Sequence, residues 1–596
     1  MIKNKNIKLS VGLIGGLLVS GASCDNGTVA TEKKGNNEKP NIILILVDDV
    51  GFADFGCTGS EVPTPNIDAL AANGILCRNF YNMARSAPTR ASLLTGLYAH
   101  QAGIGALREI PGKPAYQFYI NDNSVLISEI LRDNGYFNVM TGKSHIGHFQ
   151  GVTPIARGFD RSLNAPAGGF YFYDDPTIVD NRDKHLFLND EELALDDPRL
   201  GPEWYVTDLF NDFGLNFIDE AIDNDQPFFW YLAHIAGHFP LQAHPETIAK
   251  YKGKYREGWD VIRDERYQKQ LDMGLFDESE LLTPPNPAVK DWDSMTEEEI
   301  EKYDSIMAIY AAVLDELDQS IGRLVQHLKD KGVYDNTVIM FLSDNGGNAE
   351  GGYEGIFTGD NPGSGDSRVY LPVGWADVAN TPFMYYKHNA HEGGCHTPLI
   401  ISYPNGIKED LKGTINKDFY GHIIDIMPTI LELTGSEYPQ KRGPNNEFDV
   451  KPMEGVSLVP LLTGEKVERI NPIIVEHEGN KMIRDDKWKL VQELGEPKWN
   501  LYDLENDPTE YYDVADEFPE KVEEMDALYH KWAEHTEIDE AITFNKMASF
   551  MPVDTYYDEE KAEQYLEENP IGRGFGGMPT GNQVPPQNNG GGQNRE

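Results

Sequence analysis

The stretch Asn-Ile-Ile-Leu-Ile-Leu-Val at residues 41–47, followed directly by Asp48 and Asp49, decides the fold of this chain. A continuous apolar run of this length is typical of a strand that is buried on both faces of a parallel sheet. Similar runs recur later in the chain, at residues 227–233, 337–342 and, more weakly, 399–402. We therefore expect several buried strands that lie side by side in one large sheet.

Helical patterns separate these apolar runs. The clearest pattern extends from Thr296 to about Lys331, where Thr296 and Glu299 form a capping box and apolar residues recur along one face. Buried strands that alternate with helices are the pattern of an α/β fold. The sequence therefore predicts a large, mostly parallel sheet flanked by helices.

Less regular segments determine the predicted domain boundaries. Residues 171–225 and 245–295 have no clean period and are interpreted as insertions, and the Gly- and Asp-rich residues 346–380 as a loop over a site. From about residue 465, short strands and a helix near 519–535 predict a smaller C-terminal α+β subdomain. The predicted organisation is a lipoprotein signal peptide at 1–23, a flexible linker at 24–39, a catalytic domain at 40–465, the C-terminal subdomain at 466–550 and a low-complexity tail at 551–596.

The composition is strongly acidic. The 596 residues include 97 acidic and 51 basic residues, which gives a formal net charge of −46. This charge argues against a nucleic-acid partner, because binding to nucleic acid requires a basic surface. If the substrate is an anion, the site that binds it must be locally basic.

The N-terminal segment has the pattern of an export signal. Lys3, Lys5 and Lys8 precede an apolar stretch at residues 9–19, and small residues then lead to Cys24. Small residues before a cysteine resemble a bacterial lipobox, in which that cysteine is lipidated. We expect export to the bacterial periplasm or the outer-membrane surface, with a lipid anchor at Cys24 as the only membrane contact; a plain secretory signal is the alternative.

Two acidic pairs follow predicted strands. Asp48-Asp49 comes after the first strand, and Asp344-Asn345 comes after the strand at residues 337–342. Sites gather at the carboxyl ends of strands in parallel sheets, and oxygen ligands suit calcium or magnesium. Either pair alone is more often a turn or a helix cap. Two pairs at two strand ends predict a divalent metal site.

The most specific motif is Ser-Ala-Pro-Thr-Arg at residues 86–90, which continues into Ala-Ser-Leu-Leu-Thr-Gly at 91–96. On local grounds, Ser86 is interpreted as the N-cap of a helix and Pro88 as part of its first turn. A helix N-terminus would place N–H donors and the positive end of the helix dipole near Ser86.

This motif resembles the signature of the sulfatase family, which begins with Cys or Ser and continues through Pro, Arg and Thr-Gly. In that family the first residue is oxidised to Cα-formylglycine, whose hydrated aldehyde attacks sulfur. The resemblance to the serine-type subgroup implies that a radical-type sulfatase-maturating enzyme converts Ser86. It also implies an alkaline-phosphatase-like core.

Further segments resemble the family in the same order, between residue 40 and about residue 535. They are Thr-Gly-Lys-Ser-His-Ile-Gly at 141–147, Ala-Gly-His-Phe-Pro-Leu-Gln at 236–242, Asp-Asn-Gly at 344–346, Lys387 with Glu-Gly-Gly at 392–394, and Leu-Tyr-Asp-Leu at 501–504. Ser144 stands where the family usually has Trp, and His396 where it usually has Arg. The Ser144 departure puts a packing or substrate contact in doubt, not the chemistry.

The resemblance implies a role for each matched residue. One Ca²⁺ ion is held by Asp48, Asp49, Asp344, Asn345 and the formylglycine from Ser86. Arg90 holds the hydrate, and Lys143 and Lys387 clamp the sulfate oxygens. His238, with Lys387 as a second candidate, protonates the leaving alcohol, and His145 takes a proton from the hydrate to expel sulfate.

These residue types suit the chemistry of a sulfate ester. Its sulfur is a weak electrophile, so hydrolysis requires a nucleophile, a cation, positively charged clamps and an acid for the leaving group. The predicted function is therefore hydrolysis of sulfate esters, with sulfated glycans as substrates and a sulfated hexose such as galactose favoured. Aryl sulfates are an alternative substrate class.

Two other functions remain open at this point. A phosphodiesterase or phosphonate hydrolase of the same superfamily shares the Ser86 motif, but a two-zinc relative needs a further His/Asp cluster, which the matched segments do not contain. A lipoprotein that binds sulfated glycans without turnover would require Ser86 to remain a serine.

Overall fold

The computed structural model describes residues 39–167, 169–172, 184–545 and 551–569. The predicted signal peptide, Cys24, and nearly all of the linker lie outside the described residues, as does the end of the predicted tail. No helix among the described residues has the length and apolarity that crossing a membrane requires.

The strands before residue 423 occupy one large sheet, apart from a small hairpin. In chain order they are β1 Asn41–Val47, β2 Gly74–Tyr81, β3 Phe137–Lys143, β4 Arg161–Ala165, β5 Leu186–Leu188, β6 Glu191–Leu193, β7 Phe228–Ala233, β8 Thr337–Ser343, the hairpin strands β9 Ile356–Thr358 and β10 Arg368–Tyr370, and then β11 His396–Ser402 and β12 Thr414–His422.

The large sheet has the order β12-β2-β11-β8-β1-β7-β3-β4-β5-β6. Its centre, β8-β1-β7-β3-β4, is parallel throughout, and β11, β5 and β6 run antiparallel to their neighbours. Every residue of β1, β7 and β8 is buried. The predicted α/β fold with a mostly parallel sheet is confirmed, because apolar strands of this kind need cover on both faces.

Helices cover both faces of this sheet. In chain order the helices are α1 Pro65–Ala72, α2 Ser86–Thr95, α3 Ala99–Ala102, α4 Ile127–Asp133, α5 Val206–Asp223, α6 Pro245–Tyr251, α7 Trp259–Asp272, α8 Glu297–Asp330, α9 Val373–Ala379, α10 Glu392–Cys395, α11 Ile426–Thr434, α12 Val459–Leu462, α13 Pro519–His535 and α14 Glu559–Glu568. Helix α8 matches the predicted helix and its capping box, in which the Glu299 amide donates to Thr296 Oγ1.

The interpretation of residues 171–225 as an insertion is wrong for α5. This helix packs against β3 and β7 and belongs to the core. Its core-facing side includes the buried Asn211 and also Gly214, where a Cβ would lie 1.9 Å from a ring carbon of Trp230. Because a polar residue and a glycine occupy core positions of α5, its sequence shows no clear helical period of apolar residues. Helix α7 in the second predicted insertion also contributes core residues, with Trp259 among them.

The predicted loop at residues 346–380 contains more regular structure than expected. It holds the β9–β10 hairpin and helix α9, every residue of which is buried. The glycines and aspartates between these elements form turns around them.

The C-terminal subdomain is an antiparallel sheet with α13 packed against it, as predicted. Its strands are β15 Ile473–His477, β16 Asn480–Asp485, β17 Trp488–Gln492 and β18 Asn500–Asp503, after the short pair β13 Lys441–Arg442 and β14 Phe448–Asp449. The structure differs from the predicted tail in residues 551–569. There Met551 and Tyr556 pack against Tyr385 of the catalytic domain, because this part of the tail carries apolar side chains that can be buried.

Candidate active site

The two acidic pairs meet at the carboxyl end of the central strands. The register pairs Val47 of β1 with Ser343 of β8, so Asp48 and Asp344 follow neighbouring strands at the same edge of the sheet. The Asp344 amide donates to the Val47 carbonyl at 3.0 Å, and the Asp49 amide donates to Asp344 Oδ1 at 3.3 Å. Lys143 is the last residue of β3 and reaches the same edge.

Ser86 is the first residue of α2, and Arg85 takes the N-cap position that the sequence analysis assigned to Ser86. All ten residues of α2 are buried. Thr89 Oγ1 donates to the Asp344 carbonyl at 2.6 Å and so fixes the helix to the end of β8. The Ser86 hydroxyl therefore lies where the positive end of a buried helix dipole meets the acidic pairs.

Arg90 links the nucleophile position to the acidic residues. Its Nε donates to Ser86 Oγ at 3.0 Å, and its Nη2 donates to Asp344 Oδ2 at 2.7 Å. Its Nη1 donates to the Lys143 carbonyl at 2.6 Å. Although burial opposes the charge, the Asp344 and Asp48 carboxylates raise the pKa of Arg90 above its ordinary value. The guanidinium is therefore a fixed positive charge.

Two lysines bring further positive charge to the site. Lys143 Nζ lies 2.6 Å from Asp48 Oδ2, and Lys387 Nζ lies 2.8 Å from Asp49 Oδ2. Burial alone would lower the pKa of Lys387, but the charges of Asp49 and Glu350 outweigh burial and raise it. The cations thus balance the carboxylates of the site, and a bound divalent cation would make it locally positive, as an anionic substrate requires in a chain of net charge −46.

The two predicted histidines also lie here. His145 Nδ1 is 3.5 Å from Ser86 Oγ. His238 Nδ1 donates to the Phe239 carbonyl at 2.6 Å, and its Nε2 lies 3.7 Å from Asp49 Oδ2. Burial holds the pKa of both imidazoles below its ordinary value, with the charge of Lys143 adding to the effect. His145 is therefore neutral near pH 7 and can accept a proton.

The acidic residues fit a divalent cation. Asp48 Oδ1 and Asn345 Oδ1 are buried, and neither has a hydrogen-bond partner among the described residues. Burial and the charge of Asp48 raise the pKa of Asp344 to about 6. A bound cation would offset the repulsion between these carboxylates. Ligand atoms of Asp48, Asp49 and His238 lie within 4.8 Å of one another. Asp344 Oδ2 faces Arg90, so this residue contributes a ligand only through its other oxygen.

Backbone strain also concentrates at this site. Asp49 and His145 have φ of 61° and 52°, in the left-handed region that residues other than glycine rarely occupy. The surrounding sheet and helix hold both residues in these conformations. Such outliers are frequent at functional sites.

Sequence reasoning missed several residues next to the predicted site. Glu350 accepts from Lys387 at 3.0 Å and from Arg85 at 2.7 Å, and Asn348 Nδ2 donates to Asp49 Oδ2. The only sequence signal was their position in the Gly-rich segment after Asp344-Asn345, since lone polar residues in such a segment are common. His396, by contrast, is bonded to Glu392 and to the Arg78 carbonyl and lies outside the site.

Comparison with protein families agrees with this geometry. A family model described as Sulfatase matches residues 40–436, which is more than half of the chain. A second model, described as N-sulphoglucosamine sulphohydrolase, C-terminal, matches residues 383–536. The two matches together cover the large sheet and the C-terminal subdomain.

Individual relatives cover most of the chain. An uncharacterised sulfatase of Schizosaccharomyces pombe is 34% identical over 531 residues, 83% of this chain and 94% of the relative. An arylsulfatase of Klebsiella aerogenes is 32% identical over 441 residues, 71% of this chain and 91% of the relative. The N-acetylgalactosamine-6-sulfatase of Mus musculus is 27% identical over 522 residues, 85% of this chain and 80% of the relative.

A solved structure is similar along nearly its whole length. It is the crystal structure of Ps i-CgsB in complex with k-i-k-neocarrahexaose, which aligns with a TM-score of 0.62 at 26% identity. The alignment covers 89% of this chain and 98% of that one. The likeness extends over both the large sheet and the C-terminal subdomain.

Proposed function

Because the chain belongs to the sulfatase family and is a sulfuric ester hydrolase, we propose that it releases inorganic sulfate from sulfated glycans by means of a formylglycine made from Ser86. The observation that carries the proposal is the position of Ser86 at the start of α2, with its hydroxyl 3.0 Å from Arg90 Nε and 3.5 Å from His145 Nδ1. A glycan as substrate is supported by the N-acetylgalactosamine-6-sulfatase and the neocarrahexaose complex among the similar proteins.

The positive side chains prepare the site for the sulfate group. The hydrated formylglycine would supply the hydroxyl that attacks sulfur, and Asp344 would accept the proton that this hydroxyl loses. Arg90 orients the side chain at position 86, and Lys143 and Lys387 neutralise the charge on the sulfate oxygens. All three cations are almost fully buried, so their charges act with little screening by water.

A single Ca²⁺ would be held by oxygen ligands of Asp48, Asp49, Asp344, Asn345 and the modified residue 86. Calcium prefers oxygen ligands of this kind, and the unpartnered Asp48 Oδ1 and Asn345 Oδ1 are two of them. When bound, the ion polarises the sulfate group and adds to its electrostatic stabilisation.

The two histidines have different roles in proton transfer. His145, neutral and next to residue 86, accepts the proton that must leave when sulfate is expelled. His238 donates from Nδ1 to the Phe239 carbonyl and turns Nε2 towards the site. To protonate the leaving alcohol, Nε2 must first take up a proton, which the negative charge of a bound sulfate group would favour, and Lys387 is a second donor. The base, His145, and the acid, His238, are therefore two residues at different positions in the site.

We expect replacement of His238 to affect poor leaving groups most. In His238→Asn, kcat should fall by about 10²- to 10⁴-fold on a sulfated sugar, the size of a general-acid contribution. It should fall far less on para-nitrophenyl sulfate, because a nitrophenolate departs without a proton. Steady-state kinetics on both substrates measures the difference.

His234→Asn is the matched control for this variant. His234 is also buried and near the end of β7, but neither of its ring nitrogens has a hydrogen-bond partner among the described residues and it is not part of the site. Equal losses on both substrates in His238→Asn would assign the leaving-group proton to another residue.

The overall proposal is tested on protein made in its native host. Mass spectrometry of the peptide that holds Ser86 is expected to show loss of two hydrogen atoms, and the protein should release sulfate from at least one of a panel of sulfated hexoses, hexosamines and aryl esters. Mass spectrometry of the intact protein should locate the mature N-terminus. We propose that it is a lipidated Cys24, which would put the enzyme in the periplasm or on the outer-membrane surface.

Two outcomes would count against the proposal. Protein with fully converted Ser86 that releases no sulfate from the panel would contradict sulfatase activity. Turnover of aryl sulfates without any sulfated sugar would favour the activity that names the Klebsiella aerogenes relative.

A further inference from the structure

A second group of polar side chains lies beside Lys387 and has no role in the chemistry above. The Glu350 carboxylate connects the two groups. It accepts from Lys387 Nζ at 3.0 Å on one oxygen, and on the other it lies 2.7 Å from Arg85 Nη1 and 3.0 Å from His388 Nε2. Because Arg85 directly precedes Ser86 and Glu350 contacts Lys387, this group borders the proposed sulfate site.

His477 lies beside this group with a side chain that makes no hydrogen bond among the described residues. It is the last residue of β15, it is fully buried, and neither ring nitrogen has a hydrogen-bond partner among the described residues. Its ring centre lies 5.5 Å from that of His388. Burial lowers the pKa of His477 to about 4, so the ring is neutral at pH 7 and offers one donor and one acceptor.

Glu478 is held in a strained turn next to His477. The β15–β16 hairpin pairs His477 with Asn480, so Glu478 and Gly479 form its two-residue turn, with φ of 51° and 95°. Such turns favour Asn, Asp or Gly at the first position, and glutamate is a poor choice on conformational grounds. The Glu478 side chain is 26% exposed, and its Oε2 lies 3.9 Å from His477 Nε2. This conformation makes Glu478 a residue whose carboxylate is worth testing for a function.

The hairpin tip is fixed to the catalytic domain. Asn480 Nδ2 donates to the His388 carbonyl at 2.9 Å, and the Leu107 amide donates to Glu478 Oε1 at 3.3 Å. The C-terminal subdomain therefore presents His477 and Glu478 at a defined position beside His388 and Arg85.

We propose that His477 and Glu478, together with His388 and Arg85, bind the hydroxyl groups of the sugar ring that carries the sulfate ester. This inference rests on the proposed function and makes its substrate class more specific. A sugar hydroxyl both donates and accepts, which matches the two free nitrogens of a neutral imidazole and the acceptor oxygens of a carboxylate. An aryl ring offers no such groups.

A metal ion is the other ligand that this group suggests. Ligand atoms of His388, His477 and Glu478 lie within 4.8 Å of one another. However, the Arg85 guanidinium contacts His388 Nε2, and its positive charge opposes a cation at that nitrogen. The sugar therefore fits the charges better than a metal does.

Glu478→Asn provides the sharpest test, because asparagine suits the turn but removes the carboxylate. We expect kcat/KM for the best sulfated sugar of the panel to fall by roughly 10- to 100-fold more than kcat/KM for para-nitrophenyl sulfate, the effect of leaving a substrate hydroxyl unpaired. The Tm should change little, because asparagine suits the turn but the hydrogen bond from the Leu107 amide is lost. A purely structural role for Glu478 would instead change kcat/KM for both substrates alike.

Asp486→Asn is the matched control. Asp486 also has a left-handed φ, of 54°, and occupies the first turn position of the β16–β17 hairpin, at the opposite end of β16. It loses the same charge at the same position of a two-residue hairpin turn, and its kinetics on both substrates should match those of the wild type.

His477→Ala should likewise lower kcat/KM for the sulfated sugar more than kcat/KM for para-nitrophenyl sulfate. His477→Gln keeps a donor and an acceptor, so its kcat/KM for the sugar should be higher than that of His477→Ala. Equal effects on both substrates, or no effect on either, would overturn the inference, as would a metal ion that elemental analysis finds in the wild type and not in His477→Ala. Failure of the wild type to release any sulfate would count against the proposed function instead.

Discussion

Replacing Ser86 with alanine is expected to reduce sulfate release by about 10⁴- to 10⁶-fold, because the variant cannot form the nucleophile. Stability should change little. Ser86 Oγ accepts from Arg90 Nε, but Arg90 keeps its bonds to Asp344 and to the Lys143 carbonyl when the hydroxyl is removed. Sulfate release measured together with thermal unfolding separates loss of the nucleophile from loss of the fold.

Ser92→Ala is the control for this variant. Ser92 lies on the same buried helix α2, and its hydroxyl has no hydrogen-bond partner among the described residues. It should retain both the Tm and the activity of the wild type. Substantial sulfate release by Ser86→Ala would remove residue 86 from the mechanism and leave the fold assignment unchanged.

The second large effect is expected from Asp48→Asn, which removes both a metal ligand and the partner of two buried cations. Asp48 Oδ2 lies 2.6 Å from Lys143 Nζ and 3.3 Å from Arg90 Nη2, with all three side chains almost completely buried. Breaking a buried ion pair by removing one partner typically costs about 3–5 kcal/mol of folding free energy. We expect that loss of stability, loss of the bound ion and a fall in activity of at least about 100-fold.

Elemental analysis and denaturant unfolding measure these effects. The wild type should contain one calcium ion per chain, lose activity when a chelator removes it and recover when Ca²⁺ is returned. Asp48→Asn should bind none. Two zinc ions per chain in the wild type would favour a phosphodiesterase of the same superfamily.

Asp54→Asn separates the metal effect from the stability effect. Asp54 is equally buried and lies 2.8 Å from Arg266 Nη1, but it is not one of the proposed ligands. Its replacement should also destabilise the protein, because Arg266 loses a partner, yet leave the calcium content at one per chain. Retention of calcium and activity by Asp48→Asn would contradict the assigned metal site.

Local sequence patterns predicted the central elements well. The runs that became β1, β7 and β8 are apolar at nearly every position, and α8 carries both its cap and its stripe, so local preference and burial agree in them. The pattern failed at α5, where Asn211 and Gly214 face the core. At Gly214 the close approach of the Trp230 ring leaves no room for a side chain, and this contact forms only when α5 packs against β7.

The candidate site shows the same division. The matched motifs predicted which residues belong to it, and the structure brings Asp48, Asp344, Ser86, Arg90 and Lys143 together at one edge of the sheet. Motifs could not predict Glu350 or His477, because neither belongs to a segment that the family resemblance matched. Each acquires its neighbours only when separate segments pack together.

By itself, then, the sequence determined the buried central strands, the long helix α8, the acidic pairs at two strand ends and the motif around Ser86, because each is encoded within a short segment. Only the tertiary structure decided that Asp344 faces Arg90, that Glu350 joins Lys387 to His388, and that a strained hairpin from the C-terminal subdomain carries His477 to the same place. Contacts between residues in separate segments of the chain depend on strand register and subdomain packing, which no local pattern specifies.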